Sequence, residues 1–250
     1  MTTKPKGNRA FDWAHFNAKR YADTNYAKLR PDDQYFLGLM RDHFVACAPA
    51  PDSIGVDLGA GPNLYPAFAM LPHVGRLILL DFSVSNVRWL REQVHGAAGY
   101  ARYWDPFWRE LSTVEPYRSV RNPRADLSSK TSVERRDLFR LVSDPTYDIG
   151  TMFFVAESLT DKKDEFEKAV AKFFAILKRG APFASAFMVE SDGYNVDGAS
   201  YPAVSVEQEK IKESLGSLAD ELKTWYVPAS DAPLRHGYAG MLLAVGRKRG

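Results

Sequence analysis

Val56-Asp57-Leu58-Gly59-Ala60-Gly61-Pro62-Asn63-Leu64-Tyr65-Pro66 is the stretch that decides the fold. An apolar run ends in an acidic residue, two glycines follow one residue apart, and a helix start comes next. Further on, Leu77-Ile78-Leu79-Leu80 is a second apolar run and ends in Asp81. Glycine lets the backbone turn sharply and lets a ligand approach without a Cβ in the way. An acidic side chain at the end of the following strand can accept hydrogen bonds from a ribose diol. The two segments together read as a nucleoside-cofactor site at the carboxyl ends of parallel strands.

Working outward, 250 residues suffice for one well-buried α/β domain with elaborations. Hydrophobic content of 45% and charged content of 26% are ordinary for a soluble globular protein. A net charge of +2 gives no case for attraction to nucleic acid or to a membrane surface. The single cysteine, Cys47, excludes an internal disulfide and a cysteine zinc cage, and it suits a reducing, cytoplasmic setting. Residues 1–10 are basic without an apolar core, so they read as a disordered tail and not as a signal peptide. No run approaches the roughly 20 apolar residues needed to span a bilayer.

Helical spacing of Tyr35, Phe36, Leu39, Met40, Phe44 and Cys47 predicts a helix over 31–48, opened by Pro31 and Asp32. Strands are expected at 54–58, 76–81, just before Asp137, at 147–154 and at 182–189. Helices are expected at 63–70, 83–95 and 160–178. Ser205-Val206-Glu207-Gln208 reads as a capping box opening a helix to about Leu222. Segments 224–227 and 238–245 read as a final antiparallel pair. Residues 100–135, where aromatics mix with charges and turn formers, are the least legible. Strand–helix alternation with a terminal hairpin predicts a mostly parallel sheet with one reversed strand, in one domain over 11–250.

Three readings compete for the glycine loop. A dinucleotide fingerprint needs Gly or Ala at its third position, where Leu64 stands. S-adenosylmethionine (SAM) carries no pyrophosphate. It needs backbone approach near its amino-acid part, a carboxylate for the ribose and a polar partner for the adenine, which Gly59 and Gly61, Asp81 and Arg136-Asp137-Leu138 supply in chain order. A structural turn is the third reading, and a G-x-G pair alone does not exceed it. Asp81 at this spacing and the missing third glycine favour SAM.

The loop Asp57 to Tyr65 resembles the G-x-G-P-x-x-Y loop of the nicotinamide, phenylethanolamine and indolethylamine N-methyltransferases. Leu80-Asp81-Phe82-Ser83-Val84-Ser85-Asn86 looks like the next motif of that family. His15-Phe16-Asn17-Ala18-Lys19-Arg20-Tyr21 with Tyr26 resembles its N-terminal lid. The likeness fades across 109–130 and after Pro202. It implies a Rossmann-like class I methyltransferase with seven strands, one antiparallel, and a helical lid over 11–50. It also implies that Tyr21 and Tyr26 close over SAM and substrate, and that Gly59, Gly61 and Tyr65 line the methionine part. Asp81 and Asn86 would hold the ribose and amino-acid end, Phe82, Asp137 and Leu138 would meet the adenine, and Phe153 would make a further cofactor contact.

Methyl transfer from a sulfonium is an in-line displacement, so alignment and exclusion of water are required and a covalent nucleophile is not. An alkylamine must react uncharged, and a carboxylate can position it while accepting its proton. Glu157 and Glu190, after the fourth and fifth strands, and His236 in the last loop are the candidate bases. Glu157 also reads as charge compensation for the next helix, Glu190 as a surface carboxylate, and His236 as an exposed loop residue. Phe16, Phe154, Glu190 and Tyr194 are the candidate substrate contacts. Asp105-Pro106-Phe107-Trp108 resembles a nucleic-acid amino-methyltransferase motif, but it lacks the second proline and precedes the third strand. Trp104 and Trp108 are expected at the sheet edge or the adenine pocket. The expected activity is methylation of a small aromatic molecule at an amine nitrogen, by a monomer or weak dimer with no nucleic-acid or membrane partner. Carbon methylation of an indole in a tryptamine-derived metabolite is the chemical rival. A nicotinamide-dependent oxidoreductase and a non-enzymatic SAM-binding regulator are the rivals from other classes.

Overall fold

Side chains alternate along the central strands, and both faces of the sheet are buried. Leu77 and Leu79 point to one face, and Ile78 and Leu80 to the other; Ala184, Ala186 and Met188 oppose Phe183, Phe187 and Val189 in the same way. A sheet covered on both faces reads as continuous apolar runs, which is why these strands stand out in the sequence. The computed structural model describes residues 6–50, 52–230, 233–235 and 237–250.

The strands are β1 (Ile54–Leu58), β2 (Arg76–Asp81), β3 (Thr131–Arg135), β4 (Ile149–Phe153), β5 (Pro182–Val189), β6 (Tyr194–Val196), β7 (Ala199–Tyr201), β8 (Ala219–Pro228) and β9 (Gly240–Lys248). The helices are α1 (Ala18–Asn25), α2 (Pro31–Cys47), α3 (Tyr65–Met70), α4 (Val84–His95), α5 (Asp105–Leu111), α6 (Pro123–Lys130), α7 (Lys163–Ile176) and α8 (Gln208–Gly216). The main sheet has seven strands in the order β3-β2-β1-β4-β5-β9-β8, and β9 alone runs opposite in direction to the other six. Apolar residues of α2 to α5 cover one face, and those of α7 and α8 the other. Chain order reverses between β1 and β4, so a crevice opens at their carboxyl ends, where such sheets hold ligands. No described helix is long and apolar enough to cross a membrane.

Several elements differ from their sequence expectation. The capping box is not formed: the last helix starts at Gln208 behind Glu207, with no side-chain cap. Residues 204–206 stay outside the helix because their backbone is engaged elsewhere, with Val204 N donating to Glu157 O (2.8 Å) and Val206 O accepting from Glu190 N (3.0 Å). That helix ends at Gly216 because β8 already begins at Ala219. The β6–β7 hairpin had no clear sequence signal. The illegible stretch holds α5 and α6. Trp104 and Trp108 pack on Phe68 of α3, with centroids 6.0 and 6.1 Å away, and line neither of the two cavities described below, so of the two expected places the adenine pocket is not theirs. Part of the expected disordered tail is held in place. Lys6 N and Gly7 N donate to the Asp161 carboxylate (3.0 and 2.7 Å), and Asn8 N donates to Glu165 Oε2 (2.7 Å).

Candidate active site

The glycine loop is shaped from both ends. Gly59 and Gly61 lie at φ 72° and 55°, in the left-handed region that favours glycine. A Cβ on Gly59 would meet the Val155 side chain at 2.6 Å. Gly59 N and Ala60 N donate to Leu80 O (2.8 and 2.9 Å), tying the turn to the end of β2. Asn63 Oδ1 accepts Tyr65 N (3.1 Å) and Pro66 follows in the first turn, so α3 starts at once.

Asp81 organises the other half of this crevice. Its Oδ2 accepts Gly61 N (2.8 Å), and its Oδ1 accepts Ser83 N (2.8 Å) and Asn86 Nδ2 (3.1 Å). Burial raises the Asp81 carboxyl, and these donors draw it part of the way back. Asn86 Oδ1 is buried with no hydrogen-bond partner. An acceptor left bare beside a buried carboxylate suits a ligand that brings hydroxyl donors, as a ribose diol does. Phe82, Asp137 and Leu138 line the far end of the same cavity. Asp137 also caps the turn after β3, accepting Phe139 N (3.0 Å).

A second cavity of about 380 Å³ adjoins the first, an ordinary size for a small-molecule site. Tyr21, Tyr26, Phe154, Ser158 and Tyr194 line both. They form the wall that the two cavities share. Tyr21 lies on α1 and Tyr26 caps it. Asn17 caps the other end by accepting Arg20 N (3.0 Å), and its Nδ2 donates to Asp197 Oδ2 (2.8 Å) in the β6–β7 turn. Phe16 packs edge-on to Tyr201 (5.0 Å), and Tyr201 stacks on Tyr194 (5.5 Å). The N-terminal segment and the hairpin therefore form one aromatic roof. Phe154 lies at φ 57°, and its N donates to Ala186 O (2.7 Å); such a backbone costs a non-glycine residue about 1 kcal/mol or more.

Charged groups line the second cavity. Arg30 pairs with Asp32 at 3.3 Å. Asp33, only 6% exposed, has its carboxyl pushed up to about 7 by burial and by the neighbouring Asp32 charge, while Arg30 and the Tyr65 hydroxyl pull the other way. Arg235 donates from Nη2 to Ser191 Oγ (2.8 Å) and from Nη1 to Gly193 O, and its guanidinium lies over the Tyr194 ring at 5.2 Å.

The first cavity gathers Tyr21, Tyr26, Gly59, Gly61, Asp81, Phe82, Asn86, Asp137, Leu138 and Phe153. Tyr65 is not among them. Its ring is fully buried, stacked on Phe107 (5.8 Å) and edge-on to Phe153 (5.5 Å), because the Asn63 turn directs it inward. Phe16 lines the first cavity and not the second, whereas Phe154 and Tyr194 line both. Glu190 lies at φ 52°, faces solvent and lines neither cavity. Glu157 is completely buried behind the wall. Its Oε1 accepts Met188 N (3.1 Å) and Ser158 Oγ (3.0 Å), its Oε2 has no partner, and burial raises its carboxyl to about 7. It does not compensate α7, whose first turn holds Asp164 and Glu165. His236 lies outside the described residues. Sequence reasoning missed Asp33, which is indistinguishable there from an acidic helix start, and Arg235, which sits in an irregular loop.

The family model for the NNMT/PNMT/TEMT family matches residues 8–249. Phenylethanolamine N-methyltransferase of Mus musculus is 24% identical over 243 residues, covering 88% of this chain and 80% of that protein. The Rattus norvegicus enzyme of the same name is 23% identical, covering 88% and 83%. Among solved structures, the N-methyltransferase NodS of Bradyrhizobium japonicum, in complex with S-adenosyl-L-homocysteine, shares the fold at a TM-score of 0.56, with 13% identity and 94% and 100% coverage. A SAM-dependent methyltransferase of Clostridium acetobutylicum does so at 0.57, with 12% identity and 93% and 98% coverage. The resemblance first carried by Asp57 to Tyr65, Asp81 to Asn86 and the Tyr21–Tyr26 lid thus extends over almost the whole sequence, and the chain belongs to the NNMT/PNMT/TEMT family of class I SAM-dependent methyltransferases.

Proposed function

We propose that this enzyme methylates the nitrogen of a small aromatic amine, with Asp33 as the group that takes the amine proton. The observation that carries the reading is a buried carboxyl, held near neutrality, in a small aromatic cavity that shares a wall with the donor crevice. The mammalian relatives are named for methylation of an arylalkylamine nitrogen, which supports the same acceptor class.

SAM fits the first cavity: Asp81 and Asn86 offer acceptors to the ribose, Gly59 and Gly61 admit close approach, and Phe82, Asp137, Leu138 and Phe153 take the remainder. When bound, it supplies an electron-poor methyl on a sulfonium. Tyr21, Tyr26, Phe154 and Tyr194 confine the acceptor against that boundary and exclude water, which supports in-line alignment. An alkylammonium has no lone pair at nitrogen. Asp33 accepts its proton, and a carboxyl whose protonation midpoint is about 7 can do so and release the proton again near neutral pH. Glu157 stands behind Ser158 and holds the backbone of Met188 in place.

Incubation of tryptamines, phenylethylamines and pyridines with methyl-labelled SAM tests the reading, with NMR locating the added methyl. A methyl on nitrogen is expected. A methyl on ring carbon would favour the indole alternative, and no turnover by protein that binds S-adenosylhomocysteine would overturn the amine reading.

A further inference from the structure

We propose that the acceptor is zwitterionic, an aromatic amine that also bears a carboxylate, and that Arg235 binds that carboxylate. The inference rests on the amine reading for one end of the molecule and on Arg235 for the other.

Arg235 lies between β8 and β9, is half-buried, and lines the acceptor cavity but not the donor crevice. Its guanidinium is held by Ser191 Oγ, the Gly193 carbonyl and the faces of Tyr194 and Tyr238. Those contacts use two of its five N–H donors and supply no countercharge. Among the described residues no carboxylate lies within salt-bridge distance of it. A half-buried cation kept rigid without a counter-ion is unfavourable in the free protein and is suited to planar, two-point recognition of a carboxylate.

The remaining charges of the cavity leave room for that anion. Arg30 and Asp32 neutralise each other. Arg20 and Asp197 are exposed at the mouth, Asp197 being held by Asn17. Among the described residues that line the cavity, one buried acid, Asp33, and one half-buried base, Arg235, are left; Glu157, buried behind the wall, also feels the Arg235 charge but does not line the cavity and makes no ion pair with it. Tyr21 lies within the electrostatic reach of both. A ligand with one charge of each sign satisfies the pair, whereas a simple amine leaves Arg235 with no ion-pair partner among the described residues.

Calorimetry on the full-length protein saturated with S-adenosylhomocysteine tests this with phenethylamine, phenylalanine and 4-(2-aminoethyl)benzoate. At least one acid is expected to bind tenfold or more tightly than phenethylamine, the scale of one charge-assisted hydrogen-bonded contact. Arg235→Gln should abolish the difference, Arg235→Lys should retain part of it, and neither should move the S-adenosylhomocysteine Kd by more than about twofold, well under one such contact. Phenethylamine binding as tightly as both acids overturns the proposal, as does absence of binding by all three. So does an Arg235→Gln variant with intact S-adenosylhomocysteine affinity that weakens acid and amine alike. Labelled-methyl transfer in parallel separates the two readings. Nitrogen methylation without preference for an acid overturns this inference alone, whereas tight acid binding without nitrogen methylation overturns the amine reading alone.

Discussion

Replacing Asp33 by Asn tests the assignment of the base through both stability and rate. Burial raises this carboxyl from 3.8 to about 7. At 1.36 kcal/mol per unit, the ionised side chain costs the folded state about 4 kcal/mol at pH values above that midpoint. The sign follows from proton counting. Between pH 4 and 7 the folded protein keeps a proton that the unfolded chain has released. Stability from the neutral form is therefore complete below about pH 4 and is lost as pH rises through about 7. Asn has nearly the same shape and cannot ionise. At pH 5 the wild type has already lost about 1.6 kcal/mol of the stability that the neutral form contributes. The cost of about 1 kcal/mol for an imperfectly paired buried amide largely offsets this, so the variant should match the wild type to within about 1 kcal/mol. At pH 8.5 it should be more stable, by up to about 4 kcal/mol less that cost. Urea unfolding at the two pH values measures the difference. Asp57 and Glu157 are also raised to about 7 by burial, so both proteins lose stability across this window and only the difference between them reports Asp33. In the rate assay, Asn cannot take the amine proton, and kcat/KM should fall by about 10²- to 10⁴-fold with S-adenosylhomocysteine affinity unchanged. A stability difference that is flat with pH would refute the burial argument, and retained kcat/KM would remove Asp33 from the chemistry.

Three further substitutions address the rest of the site. Asp81→Ala removes the acceptor of three hydrogen bonds and should weaken S-adenosylhomocysteine binding by about 1–3 kcal/mol in calorimetry; unchanged affinity would argue against a ribose role. Gly59→Ala places a Cβ against Val155 on a left-handed backbone, so a loss of about 1–3 kcal/mol of stability together with weaker donor binding is expected, and an unchanged Tm would contradict the tight turn at this position. Glu190→Gln alters a solvent-facing side chain outside both cavities and should leave kcat/KM within about twofold, well under the 1.4 kcal/mol that a tenfold change represents; a tenfold loss would return Glu190 to the active site.

The parts of the fold that were legible in the sequence are those where burial on both sides forces a simple pattern. Strands β1, β2 and β5 fall at the expected residues because each is an apolar run closed by a turn former or an acid. Ser83 caps α4 as its position suggests, accepting Asn86 N at 3.3 Å. The failures have tertiary causes. Ser205 has a capping-box pattern, but Val204 and Val206 are buried (5% and 3% exposed) and their backbone bonds to Glu157 and Glu190, so the helix starts later. Residues 100–135 look irregular because Trp104, Phe107, Trp108, Leu111 and Tyr117 fill the side of α2 and α3 from short helices whose period is interrupted by prolines.

The two halves of the site differ in the same way, and the difference bears on what the family relationship conveys. The donor half is written within about one βαβ unit. Its shape comes from two positive-φ glycines, one carboxylate and the backbone N–H groups that carboxylate collects, and few residue types satisfy those constraints. A local motif therefore identifies it. The acceptor half is assembled from the lid, the first turn of α2, the residues after β4, the β6–β7 hairpin and the loop before β9. Its charges sit on side chains that can be exchanged without altering any turn of the backbone. At 24% identity to a phenylethanolamine N-methyltransferase, nothing in the packing requires the acceptor's charges to be the same in the two proteins. Asp33 and Arg235 are visible only once five distant segments meet, and they are the residues from which the acceptor has to be inferred.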